Sequence, residues 1–255
     1  MNLTILQQIE QNRTAGKKSL AVLIDPDKIE DQTELVWLLK KGEESGVHYF
    51  FVGGSLITTN NFSQILSTIK SHTRLPVILF PGSNMQIDSE ADAILFLSLI
   101  SGRNPDLLIG QHVVAAPILK KLDIEILPTG YMLINAGNQT TVSYMSNTQP
   151  IPYDKASVAA CTAMAGEMLG LRLMYLDAGS GAQVPVSNKM ISMVRKSIAT
   201  PLIVGGGINT RKKAEQVLEA GADIIVIGNG IEKEPALMTE VAGMISLMNE
   251  RLNVH

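Results

Sequence analysis

The chain has 255 residues, close to the roughly 250 typical of one (β/α)8 barrel. Apolar residues make up 45% and charged residues 18%, the latter below the usual share of about 25%, which excludes a disordered chain and leaves enough apolar mass for one sizeable core. The net charge of −3, with acids and bases interspersed, provides no basic field for nucleic acid.

The start, Met1-Asn2-Leu3-Thr4, lacks a basic segment followed by an apolar one, so no signal peptide is expected. The longest greasy stretch, residues 93–97 with Leu99 and Ile100 beyond, is far short of the ~20 residues of a membrane span. Cys161 stands alone, which rules out an intramolecular disulfide and a thiolate metal cluster. It reads as a small buried apolar residue, and a reducing, cytoplasmic location fits.

Short apolar runs alternate with amphipathic ones along the chain. Runs at 20–24, 49–52, 77–80, 93–96, 125–127, 173–176, 202–204 and 224–227 predict strands, eight in all. Most are continuously apolar, as strands of a parallel sheet covered on both faces should be. Helical patterns lie between them, at 34–44, 62–71, 157–169, 187–197 and 211–220 among others. Eight strand–helix units in one domain length predict a single (β/α)8 TIM-type barrel over 1–255; an open doubly wound sheet is the competing arrangement. Two segments interrupt the rhythm. Residues 98–105 carry Gly102 and Arg103, and the long polar segment 135–153 is either an active-site lid or a solvated connection.

Active sites of such barrels sit at the C-terminal ends of the strands, so the residue types there carry the chemistry. After the first strand comes Ile24-Asp25-Pro26-Asp27-Lys28. Pro26 holds Asp25 extended, where its carboxylate suits a magnesium ion; Asp25 or Asp27 could equally cap the next helix. After the second comes Gly53-Gly54-Ser55, whose backbone can approach an anion and whose hydroxyl can meet a metal or phosphate oxygen. After the sixth predicted strand comes Tyr175-Leu176-Asp177-Ala178-Gly179-Ser180-Gly181, a run able to wrap a small polyol and offer one base.

The last two strands end in Gly205-Gly206-Gly207-Ile208-Asn209 and Gly228-Asn229-Gly230. Paired glycine loops at these positions commonly build a phosphate site from backbone amides, though many unrelated barrels share it. His48, His72, His112 and His255 lack metal-ligand spacing, and His112 reads as structural on a helix. Arg211-Lys212-Lys213 reads as the solvated first turn of a helix. A sugar-phosphate isomerase or aldolase, or a non-catalytic phosphate-ligand binder, shares much of this pattern. The enzymes should show a Schiff-base lysine or facing base pair at a strand end; the binder should lack the polar trio Asp25, Ser55 and Asp177.

Taken in order, Leu23-Ile24-Asp25-Pro26-Asp27-Lys28, Phe51-Val52-Gly53-Gly54-Ser55, Pro128-Thr129-Gly130-Tyr131, the Tyr175–Gly181 run, Gly205-Gly206-Gly207-Ile208 and Ile227-Gly228-Asn229 resemble the geranylgeranylglyceryl phosphate synthase family. Segments 103–105 and 135–153 look like its second group, which has bacterial as well as archaeal members. The resemblance implies transfer of a geranylgeranyl or similar long prenyl group from its diphosphate to the C3 hydroxyl of sn-glycerol 1-phosphate. It maps magnesium onto Asp25 and Ser55. It maps glycerol-phosphate contacts onto Tyr175, Leu176, Asp177, Ala178, Gly179, Ser180, Gly181, Gly206, Gly207, Gly228 and Asn229, with Asp177 and Tyr175 in the catalytic role. It further implies a dimer or hexamer and a transient membrane contact as the lipid product leaves. At one position the chain departs from the pattern: many relatives look to carry glutamate where Asp177 stands, and one methylene less shortens the reach by about 1.5 Å. A long prenyl tail also needs a greasy groove. Phe96, Leu99, Ile100, Tyr131 and Leu133 are candidates for lining it, unless they are ordinary core.

Overall fold

The structure, a computed structural model, describes residues 3–58, 60–137 and 140–252. Nine parallel strands are present among them: β1 (Ser19–Ile24), β2 (Tyr49–Val52), β3 (Val77–Leu79), β4 (Ala93–Leu99), β5 (Glu125–Asn135), β6 (Ile151–Pro152), β7 (Leu173–Asp177), β8 (Leu202–Gly205) and β9 (Ile224–Ile227). Eight of them close a barrel in the order β1-β2-β3-β4-β5-β7-β8-β9, because β4 pairs with β5 and β9 returns to β1 through Ser19↔Ile224. The two-residue β6 hangs on the end of β5 outside the ring. The open-sheet alternative is thereby excluded.

Strand alternation sorts the side chains into two layers. Tyr49 and Phe51 of β2, Leu173 and Tyr175 of β7, and Ile224 and Val226 of β9 fill the barrel interior. Their neighbours Phe50, Val52, Met174, Leu176, Ile225 and Ile227 face outward against the helices. Both layers are buried, which explains why the runs look continuously apolar.

The helices described are α1 (Ile5–Thr14), α2 (Gln32–Ser45), α3 (Phe62–His72), α4 (Gln111–Leu119), α5 (Thr141–Ser146), α6 (Ala156–Met168), α7 (Asn188–Ser197), α8 (Arg211–Glu219), α9 (Asn229–Lys233) and α10 (Ala236–Leu252). Helix α1 plugs the bottom of the barrel. Thr4 and Gln7 form a reciprocal capping box at its start. The carboxylate of Glu125, at the foot of β5, accepts from the amides of Ile5 at 2.7 Å and Leu6 at 2.9 Å. Ile5, Leu6 and Ile9 then pack up against the interior cluster.

Besides the extra β6, these details differ from the sequence reading. Strand β5 runs on through Pro128-Thr129-Gly130-Tyr131 to Asn135, where proline and glycine mimic a strand end. Strand β4 continues through Ser98 and Leu99 before the chain turns. Cys161 is exposed rather than buried, because Ala159, Ala160, Ala163 and Gly166 form the face of α6 that packs on the barrel.

The segment 135–153 holds helix α5 and strand β6, and Asn138 and Gln139 within it lie outside the described residues. It is fastened to the loop after β4. Asn104 Nδ2 donates to the Ser146 carbonyl at 2.8 Å, and a Cβ on Gly102 would stand 2.5 Å from Thr148 Cγ2.

Candidate active site

A cavity of about 410 Å³ opens at the C-terminal ends of the strands. Asp25, Ser55, Tyr175, Asp177, Gly179, Ser180, Gly181, Gly206, Gly207, Gly228 and Asn229 all line it. Leu176 and Ala178 do not. They face outward into the layer between strands and helices, as neighbours of inward-facing Tyr175 and Asp177 must.

Asp177, 7% exposed, is held from two sides. Tyr131 donates its hydroxyl to Oδ2 at 2.5 Å, and the Gly179 amide donates to Oδ1 at 2.7 Å. Burial pushes the carboxyl above the usual aspartate range, an effect these two bonds partly offset. Burial and the adjoining carboxylate hold the Tyr131 and Tyr175 phenols well above their ordinary range, so both stay protonated donors. Each carboxylate oxygen accepts more than one bond, so Asp177 keeps capacity for a further hydroxyl.

Tyr131 is the partner that sequence reasoning misses, because it gives that role to Tyr175. With β5 read as ending at Leu127, nothing places Tyr131 beside Tyr175, its register partner on β7. Phe80 is missed as well. It stacks on Tyr175 with ring centroids 5.3 Å apart and meets Tyr131 edge-on at 5.8 Å, and the three rings floor the cavity.

The glycine turns are close-packed backbone. Gly206 has φ +80°, and a Cβ there would stand 2.7 Å from the Gly179 amide and 2.9 Å from Asp177 Oδ1. Gly207 has φ +70°, and a Cβ there would collide with Val184 at 2.4 Å. A backbone surface of this kind, next to the first turn of α9, presents amide donors to an anion.

Asp25 lies across the mouth, at the end of β1. Its Oδ1 accepts from the Asp27 amide at 3.2 Å, so it also caps the turn Pro26–Lys28. Burial raises its carboxyl, partly offset by Lys28. Asp27 accepts from the Thr58 amide at 2.7 Å and hydroxyl at 2.9 Å. Among the described residues no group of three or more His, Cys, Asp or Glu side chains could hold a metal. Asp25 and Ser55 nevertheless offer two hard oxygens in one cavity. Gly54 leaves the space beside Asp25 open, since a Cβ would stand 3.2 Å from Oδ1. This donor set fits magnesium shared with a substrate phosphate.

A second cavity of about 590 Å³ adjoins the first and shares Ser55, Leu56, Leu97, Tyr131 and Val142 with it. It runs between β4, α4 and the segment after β3. Phe96, Leu99 and Tyr131 line it; Ile100 and Leu133 do not. Ile100 instead packs where Gly130 and Gly166 leave room, and Leu133 belongs to the interior cluster. His112, on α4, meets Phe96 edge-on at 4.4 Å in this wall. His48 accepts from the Leu20 amide, and His255 lies outside the described residues. Arg211 and Lys212 face solvent, but Lys213 turns back to Asn209 Oδ1 and the Gln183 carbonyl, at 2.8 Å each.

A closed eight-stranded parallel barrel, with glycine turns after its last two strands and a polar mouth joined to an apolar groove, defines a phosphate-handling (β/α)8 enzyme. The chain belongs to the PcrB family, whose model matches residues 12–244. It is 55% identical over 248 residues to a geranylgeranylglyceryl phosphate synthase of Spirosoma linguale, covering 97% of this chain and 98% of the relative. It is 50% identical to the synthase of Chitinophaga pinensis, over 96% of this chain and 97% of that one. Among solved structures, (S)-3-O-geranylgeranylglyceryl phosphate synthase from Thermoplasma acidophilum, in complex with its substrate sn-glycerol-1-phosphate, superposes with a TM-score of 0.89 at 33% identity, covering 96% of this chain and 99% of that chain.

Proposed function

We infer that the chain is a prenyltransferase that joins a long prenyl diphosphate, geranylgeranyl diphosphate or a close analogue, to the C3 hydroxyl of sn-glycerol 1-phosphate. One observation carries the reading: a polar mouth containing a buried carboxylate and close-packed glycine turns opens directly into an apolar groove. A phosphate and a hydroxyl suit the first, and an isoprenoid tail suits the second.

In this reading the backbone around Gly206, Gly207, Gly228 and Asn229 holds the phosphate of the acceptor. Asp177 hydrogen-bonds the C3 hydroxyl and takes its proton as oxygen bonds to C1 of the donor. The C1–O bond breaks and diphosphate leaves with its electron pair. Tyr131 fixes the direction of the carboxylate, and Tyr175 with Phe80 forms the floor under the reacting carbon. Because an allylic C1–O bond is prone to ionise, positioning supplies much of the rate. Asp25 and Ser55 would hold magnesium, which when bound neutralises charge on the departing diphosphate. Phe96, Leu99 and Tyr131 would line the tail.

Lys28, a lysine at the mouth, is engaged by Glu232 at 2.9 Å and by Asn229 at 2.6 Å, unlike the free nucleophile of a Schiff-base aldolase. The direct test incubates the protein with sn-glycerol 1-phosphate, magnesium and a panel of prenyl diphosphates, then identifies the product. Formation of a prenyl ether at C3 is expected; turnover of a sugar phosphate in place of ether formation would sink the assignment.

The same reading includes a homo-oligomer in the cytoplasm. Helix α4 exposes Val113 at 65% and Val114 at 60%, and Val158 and Met168 of α6, with Leu169 just beyond it, are exposed too. Helices of that kind are normally covered. Sedimentation of the purified protein should show a dimer or hexamer. No helix among the described residues is long and apolar enough to cross a membrane. Leu56, Met85 and Met145, exposed where the groove reaches the surface, support a transient contact with lipid during product release.

A further inference from the structure

Lys28 ends the short turn after β1 and lines the mouth. Its ammonium donates to Asn229 Oδ1 at 2.6 Å and to Glu232 Oε2 at 2.9 Å, and lies 3.8 Å from Asp25 Oδ2. A lysine ammonium has donors and no acceptor. Asn229 must therefore turn its oxygen toward Lys28, which sends its NH2 group to the opposite side. That side holds the loop after β7. Ser180 Oγ lies 3.3 Å from Asn229 Nδ2 and 3.5 Å from its Oδ1, and a Cβ on Gly181 would stand 4.0 Å from Nδ2.

The orientation has a chemical consequence. A carboxamide presents two donors on one side and acceptor lone pairs on the other, and only the donor side attracts an anion. An ion pair as exposed as Lys28–Glu232, with side chains 39% and 33% accessible, adds little to stability. Its geometric effect on Asn229 is the more consequential one.

We propose that Lys28 is a positioning residue that locks the Asn229 carboxamide with its NH2 group toward the phosphate of the acceptor, with Glu232 holding Lys28 in place. This rests on the reading of the mouth as the glycerol-phosphate site. Lys28 acts through Asn229 and does not itself touch the phosphate. It also ties the end of β1 to the start of α9, across the seam where the first and last strands of the barrel meet.

Calorimetric titration of the full chain with sn-glycerol 1-phosphate, without prenyl donor, tests the idea. Lys28→Met should weaken binding by about tenfold or more, the effect of losing a charge-assisted bond and the donor geometry it enforces. In an Asn229→Ala background the same change should matter by less than about twofold, since the group it orients is gone. Lys28→Arg keeps a donor for Asn229 Oδ1 and should retain most of the affinity. In turnover, Lys28→Met should raise KM for the acceptor while leaving KM for the prenyl diphosphate near its parent value. Cooperative thermal unfolding near the parent temperature establishes that each variant is folded. Equal losses in both backgrounds would mean that Lys28 meets the phosphate directly, and the proposal would be wrong. Parent-like binding by Lys28→Met would overturn it as well. A parent protein that binds no sn-glycerol 1-phosphate would instead overturn the reading of the site, and the proposal with it.

Discussion

Tyr131 on β5 and Asp177 on the adjoining β7 share a hydrogen bond of 2.5 Å inside the barrel mouth. The bond spans two neighbouring strands whose register pairs Tyr131 with Tyr175 and Leu133 with Asp177. It therefore reaches diagonally across the sheet, and the backbone pairing fixes both ends. Asp177→Asn keeps the shape but removes the base, so kcat should fall by about 10²–10⁴-fold, the usual contribution of a positioned base. Single-turnover kinetics at saturating donor checks this. Turnover equal to the parent would leave Asp177 a binding residue only.

The pH profile carries the same carboxylate. Asp177 must be ionised to accept a proton, and burial raises its pKa, so activity should climb with pH along a limb displaced above the ordinary aspartate range. The Tyr131 bond lowers that pKa, so Tyr131→Phe should move the limb further upward. A limb that stays in place in Tyr131→Phe would assign it to another group.

Gly206 tests the acceptor pocket. Its φ is +80°, and an added Cβ would stand 2.7 Å from the Gly179 amide nitrogen, so Gly206→Ala forces the loop after β7 to shift or the turn itself to unwind. The left-handed backbone alone costs about 1–2 kcal/mol with a side chain. A lower melting temperature and a sharply raised KM for sn-glycerol 1-phosphate are expected. A folded variant with parent-like KM would remove this turn from the phosphate site.

Asp25→Ala should abolish most turnover while the barrel stays folded, because Asp25 packs against the open mouth and its bond to the Asp27 amide is long, at 3.2 Å. Binding of manganese in the presence of diphosphate, read by electron paramagnetic resonance, should weaken in parallel. Unchanged manganese binding would place the metal elsewhere.

Leu99, 4% exposed, forms part of the groove wall. Leu99→Trp should shift the preferred prenyl diphosphate to a shorter chain, measured by competition between donors. No shift would return Leu99 to the ordinary core.

The barrel was largely legible in the sequence because its strands are buried on both faces, and continuous apolar runs mark such strands well. The mouth was legible in single residues at strand ends, since Asp25, Ser55 and Asp177 all line the one cavity there. Partnerships were harder to read. Tyr131 follows a proline and a glycine that look like the end of a strand, and only the pairing of β5 with β7 sets it against Asp177. Lys28 was visible within its motif, but its tie to Asn229 spans 201 positions. Residue type misjudged Cys161: a lone cysteine reads as buried, but alanines and a glycine form the packed face of α6 and leave it exposed.

The seam between Ser19 and Ile224 has a consequence for biosynthesis. On the ribosome, the first strand emerges long before the last, so one of its edges waits unpaired while most of the chain is made. The N-terminal helix waits as well, since the Glu125 carboxylate that holds it belongs to the middle of the chain. Exposed strand edges invite pairing with other chains. Nascent chains stalled before Ile224 should therefore depend on chaperones and precipitate without them.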